Sequence, residues 1–183
     1  MTLKLSTLAI LLGLGMGLPQ IYGILKPVQF AAGVRKFPRS VPWGWALMFL
    51  GTAWFLWNLS QESIADFASL KSYLLLGFAA IGLGTCIFVK DFLAVRGLAV
   101  VLLLLAKLMV DTGRPALGET SWVLVIQVWA YGLVVAGMWF TVSPWRLRDL
   151  LEWGTATEMR VRVGCAFRLA FGLFVAILGV TKF

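Results

Sequence analysis

Residues Trp122 to Val142 read WVLVIQVWAYGLVVAGMWFTV, a run without a charged side chain whose only amide and hydroxyl groups are those of Gln127, Tyr131 and Thr141. Its length matches the roughly 20 apolar residues that cross a bilayer core as a helix. One such run is also what a deeply buried helix looks like, so its neighbours decide the reading. Similar runs cover residues 3–25, 42–59, 72–89 and 92–110 upstream, and 162–181 downstream. A soluble chain of 183 residues would have to bury all of them with only 16 basic and 8 acidic side chains to coat its surface. The fold class expected is therefore all-α. It is a polytopic membrane helix bundle of about six transmembrane helices, forming a single integral-membrane domain over residues 1–183.

The net charge of +8 is not a nucleic-acid-binding tract, because the basic residues fall between the apolar runs. The first connection holds Lys26, Arg35, Lys36 and Arg39. The third holds Lys90, with Arg96 close by, and the fifth holds Arg146, Arg148, Arg160 and Arg162. The second and fourth hold Lys71 and Arg114, with Lys107 at a boundary. Excess Lys and Arg stays on the cytoplasmic side of an inner membrane. The odd-numbered connections are thus expected in the cytoplasm of a bacterial cell, with both termini on the opposite side.

Local signals refine this outline. The first run begins MTLKLSTLAILL and reads as a retained helix, not a cleaved leader. Pro19 is placed to kink it, and Gly13 and Gly17 give it a GxxxG spacing for close helix contact. The following segment has Val28, Phe30, Ala31 and Val34 for the membrane interface, with Gly33 weighing against a regular helix there. Trp43, Trp45, Trp54 and Trp57 lie toward the two ends of the second span, as an aromatic belt does. Ile64, Phe67 and Leu70 have the spacing of a short interfacial helix. SPWRLRDLLEW, from Ser143, offers a cap and then Pro144, so an amphipathic surface helix is expected before the last span. Lys26, Arg35, Lys36, Arg39, Trp145, Arg146, Arg148 and Trp153 are the interfacial anchors.

Arg168 is the charge that needs an explanation. It lies within GCAFRLAFGLF, six residues beyond Arg162, or about 9 Å along a helix. A long side chain can snorkel from that depth to the headgroups. Gly164, Arg168, Gly172 and Ala176 also recur every four residues, which places small side chains on one slowly rotating stripe. Gly164, Gly172 and Ala176, with Gly13 and Gly17, are the candidate helix-packing residues. On that reading Arg168 faces protein or a cleft and needs an acceptor or an anion. Gln20, Tyr22 and Tyr131 join it as candidate contacts for a lipid, an anion or a partner.

The chain has no histidine, which removes the commonest metal ligand and the usual base near neutral pH. Cys86 and Cys165 stand in apolar runs without metal-ligand or redox spacing. No glycine-rich phosphate loop or Ser-His-Asp set is present. No catalytic residue, metal or cofactor is expected, and no enzyme. No span carries a deep carboxylate, which weighs against a proton- or sodium-coupled carrier. The function expected is an accessory, assembly or scaffold subunit of a bacterial membrane complex. A small-solute or lipid transporter is the alternative. Membrane lipids, other integral-membrane subunits or further copies of the chain are the expected partners.

Two resemblances add to this. Leu18-Pro19-Gln20-Ile21 resembles the PQ motif of PQ-loop transport proteins, which implies a proline-bent helix beside a substrate path. The last quarter resembles the YjeT-like small inner-membrane proteins. It is carried by Pro144, Trp145, Arg146 and Arg148, then Arg160, Gly164 and Gly172. It implies a basic segment leading to an arginine and glycine at a helix entrance, and no catalytic role.

Overall fold

The computed structural model describes residues 4–62 and 70–183. Helices form where the apolar runs leave no competing local structure: α1 Leu5–Leu25, α2 Pro27–Lys36, α3 Val41–Gln61, α4 Lys71–Phe88, α5 Leu93–Gly113, α6 Val123–Val142, α7 Trp145–Gly154 and α8 Glu158–Thr181. Short 3-10 turns follow α2 at Phe37–Arg39 and α5 at Arg114–Gly118. The described residues contain no strand. Ile64 and Phe67 of the expected interfacial helix lie outside them.

Among the described residues, five helices are long and apolar enough to cross a membrane: α1, α4, α5 with the turn that follows it, α6 and α8. This is the character of a polytopic helical membrane protein. The expected second span is the exception. α3 is 21 residues long and carries no charge, but it is not among the five. Its four tryptophans and its polar last turn, Asn58 to Gln61, lower its mean hydropathy. Indole is an interfacial side chain, so a helix rich in it scores below its aliphatic neighbours.

Three local outcomes differ from the sequence expectation. Gly33 does not interrupt α2, which continues to Lys36; a single glycine costs a helix only about 1 kcal/mol. α8 starts at Glu158, four residues before the expected span, because the Thr157 side chain accepts the Arg160 N–H and caps it. Ser143 precedes α7 but acts through its backbone, its carbonyl accepting the Arg146 N–H at 3.1 Å.

The contacts divide the chain into two units. One comprises residues 1–36, 105–133 and 148–183. Its axis is the extensively packed α1–α8 pair, and α2 packs on both. Gly172 and Gly13 face each other across that pair. A Cβ on Gly172 would stand 2.6 Å from the Gly13 carbonyl oxygen and 3.0 Å from the Gly17 Cα. Ala176 closes on Gly13 from the next turn, and Gly179 meets Ser6 and Ala9 one turn further along. Lipid offers no hydrophobic drive between helices, so such backbone-to-backbone approach is what holds them. On the α6 side, Trp129 meets Phe171 edge-on at 5.2 Å. Gln127, buried, donates to the Val110 carbonyl at 3.4 Å.

The other unit comprises residues 37–104 and 134–147. Here Gly44 of α3 faces Leu93 and Ala94, while Gly97 of α5 faces Leu47 and Met48. Met48, Cys86 and Leu93 form one buried cluster; Val95, Ala99 and Phe140 form a second. α4 packs on α3, where Gly82 accommodates the Thr52 side chain.

Candidate functional site

The basic end of the first unit is built by the last turns of α1, by α2, by α7 and by the start of α8. α2 and α7 are short and amphipathic, and within this unit their polar faces carry Arg35 and Lys36 in one and Arg148, Asp149 and Glu152 in the other. The α7–α8 link, Thr155 to Thr157, is tied to α2 by Arg35. Its Nε donates to Thr155 Oγ1 at 2.8 Å and its Nη2 donates to the Thr155 carbonyl at 2.6 Å. A planar guanidinium makes the two bonds from separate nitrogens held in a fixed fork, a geometry that an ammonium, with its donors on one nitrogen, does not reproduce.

Arg168 reaches Gln20. Its Nη1 donates to Gln20 Oε1 at 3.2 Å, and the Gln20 amide donates in turn to the Met16 carbonyl at 3.2 Å. The guanidinium also folds back over Gly164, where an added Cβ would meet only Arg168 Nη2, at 3.5 Å, and Cζ. The sequence placed Gly164 among the helix-packing positions with Gly172 and Ala176. The structure gives it a different neighbour, the arginine of its own stripe. Helical side chains lean toward the N-terminus, so a residue four positions on covers this spot. Gly17, in contrast, does lie against α8, with room for a methyl group 3.5 Å from Leu169 Cδ1.

The other two candidate contacts are elsewhere. The Tyr22 hydroxyl donates to Gln29 Oε1 at 2.8 Å. Tyr131 is 60% exposed on α6 and is not joined to Arg168. Of the anchors, Trp145 and Trp153 are exposed, as a membrane interface requires, and Arg39 stacks over Phe92 at 6.0 Å.

The arginines of this end fall into two electrostatic groups. Arg148 pairs with Asp149 at 2.8 Å and approaches Glu152 at 3.9 Å. The Asp149 hydrogen bond and charge hold its guanidinium above the ordinary arginine pKa. Arg162 approaches Glu158 at 3.8 Å. Arg35, Arg160 and Arg168 have no carboxylate among the described residues. Arg160 donates to the Trp153 carbonyl at 3.3 Å and lies 5.3 Å from that indole's centre. All three therefore hold full positive charges against neutral acceptors.

Two cavities meet at Arg160 and Arg168. One, of about 350 Å³, has Phe30, Val34, Leu150 and Leu151 as its apolar wall and Cys165 at its side. The other, of about 330 Å³, lies against Trp153, Met159, Val163 and Gly164. Arg160 and Thr155 carried no site assignment in the sequence reading. The spacing of Arg160 to Arg168, eight residues with Gly164 midway, was legible there; the position of the α7–α8 link was not. These features define a helical protein of membrane character with a basic cleft. Comparison with family models, curated proteins and solved structures returns no match.

Proposed function

We propose that the chain is an accessory, assembly or scaffold subunit of a bacterial inner-membrane complex, with α4 as its contact helix. The observation that carries this reading is the unoccupied face of α4. That helix buries only Cys86. Gly82 is used against α3, but among the described residues an added Cβ at Gly77 would meet nothing and one at Gly84 would meet only Phe88 of its own helix, at 4.0 Å. Gly77, Ala80 and Gly84 share one face at helical spacing, and Ala80 is exposed. Glycine lowers helix propensity and offers lipid no packing surface, whereas it lets a second backbone approach. The α1–α8 seam argues against the transporter alternative at that position, because its glycine contacts leave no path between those helices for a solute.

Gentle detergent extraction is expected to retain a specific membrane-protein partner, identified by mass spectrometry. Gly77→Phe with Gly84→Phe should reduce that partner by about tenfold or more, as losing a close helix interface would. The variant should still elute as a folded helical protein, since among the described residues neither position meets another helix. Full retention of the partner by this variant, or a wild-type chain that functions alone as a monomer, sinks the reading.

The orientation proposed with it has six spans, α3 included, and both termini outside the cytoplasm. The charge distribution among the connections supports it. Single cysteines in a Cys86→Ala, Cys165→Ala background read it directly. Cysteines at Arg35 and Trp153 should label only after the inner membrane is permeabilised. Those at Asp66 and Gly118 should label in intact cells with a permeable outer layer. A shared side for Arg35 and Asp66 removes α3 as a span.

A further inference from the structure

We infer that the cleft at the start of α8 is a binding site for one anionic phospholipid, its phosphate held between Arg160 and Arg168 over Gly164. Four observations converge. Arg160 and Arg168 both line both cavities, so the two arginines border a common space. Among the described residues neither has a carboxylate partner, and Gln20 takes up only one of the five N–H donors of Arg168. Gly164 lies midway between them on the same face and leaves a notch, because a side chain there would meet only Arg168. A second stripe, Met159, Val163 and Phe167, runs one residue behind the first at the same four-residue spacing. Its members are 70%, 58% and 74% exposed.

The chemistry of these two stripes selects the ligand. Guanidinium forks match the paired oxygens of a phosphate, and charge-assisted bonds of this kind are the strong ones. The neighbouring apolar stripe continues down α8 in the direction an acyl chain takes from its headgroup. A free anion would use the first stripe and leave the second without a role. A zwitterionic lipid would bring its own cation to a site that already holds uncompensated positive charge. The depth is also suitable: Arg168 is about 9 Å along the helix from Arg162 and folds back toward it, at the level where headgroups meet hydrocarbon.

The test uses the full chain in nanodiscs of dioleoylphosphatidylglycerol or dioleoylphosphatidylcholine, with retained lipid read by native mass spectrometry after transfer to mild detergent. Wild-type protein should retain phosphatidylglycerol over phosphatidylcholine by at least about tenfold, the scale of one or two charge-assisted hydrogen bonds. Arg160→Gln with Arg168→Gln should abolish the preference. Gly164→Leu should also abolish it, although it removes no charge, by filling the notch. Arg146→Gln, an exposed cation that lines neither cavity, should keep it. Retention by Gly164→Leu equal to wild type overturns the site, since general attraction to a basic surface would survive that change. Displacement of the lipid by millimolar inorganic phosphate assigns the cleft to a free anion and overturns the lipid. If the variants fail to fold, the wild type still decides. Phosphatidylglycerol should slow methanethiosulfonate modification of Cys165, beside the cavity, and leave Cys86 unchanged; equal rates in the two lipids reject the proposal.

Discussion

Gly172→Leu is expected to separate α1 from α8 and to lower stability by about 3 kcal/mol or more, at the upper end of overpacking costs. The ordinary escape from overpacking is for a neighbouring side chain to change rotamer. That escape is absent here. The first added carbon would already stand 2.6 Å from a carbonyl oxygen and 3.0 Å from the Gly17 backbone nitrogen. Only movement of a whole helix makes room, and α1–α8 is an extensively packed pair. Gly172→Ala should show much of the same loss. Gly17→Ala is the matched control on the opposite helix, because its methyl group would reach Leu169 at an ordinary 3.5 Å. Gly15→Ala is the second control, with nothing within 4 Å. Reversible unfolding in mixed micelles gives the ranking. A Gly172→Ala change as mild as Gly17→Ala would show that the two helices do not meet through their backbones.

Gly97→Leu should damage the second unit to a comparable extent. A Cβ at Gly97 would stand 2.8 Å from the Met48 backbone nitrogen and 2.9 Å from Leu47 Cβ. Gly44 answers it from α3, where a Cβ would stand 3.0 Å from the Ala94 nitrogen. The α3–α5 approach is therefore a reciprocal one, and a side chain at either glycine alone is sufficient to block it. The loss is again expected at about 3 kcal/mol, with Gly77→Leu on α4 as the tolerated comparison. Protease sensitivity of the α3–α4 connection in detergent gives a second readout, rising in Gly97→Leu and unchanged in Gly77→Leu. Equal sensitivity in the two variants would place the α3–α5 contact elsewhere.

Length and hydropathy determined the helical elements. Each apolar run has one way to satisfy its backbone in hydrocarbon, and that is a helix. The Pro144 start of the amphipathic α7 is similarly local, as is the four-residue rhythm that singled out Gly13, Gly17, Gly172 and Ala176. The second expected span is the one that hydropathy does not support: the tryptophans and polar last turn of α3 hold its mean below that of the five other helices. Gly33 weighs against a helix locally, but its cost is too small to end α2, which runs on to Lys36.

What the sequence by itself could not decide was which glycine meets what. Gly164 and Gly172 have the same spacing to Arg168, eight residues apart on one helix, yet one makes a notch for a guanidinium and the other a seat for a second backbone. Gly44, Gly97 and Gly179 were indistinguishable from the many glycines that membrane helices tolerate, because their partners lie on other helices. The same holds for the charges. Arg148 and Arg162 have carboxylates within four residues, so their pairing was written in the chain. Arg35, Arg160 and Arg168 find Thr155, Trp153 and Gln20 only after α1, α2, α7 and α8 have come together. A guanidinium reaches several ångströms in any direction, and its acceptor is fixed by tertiary packing alone.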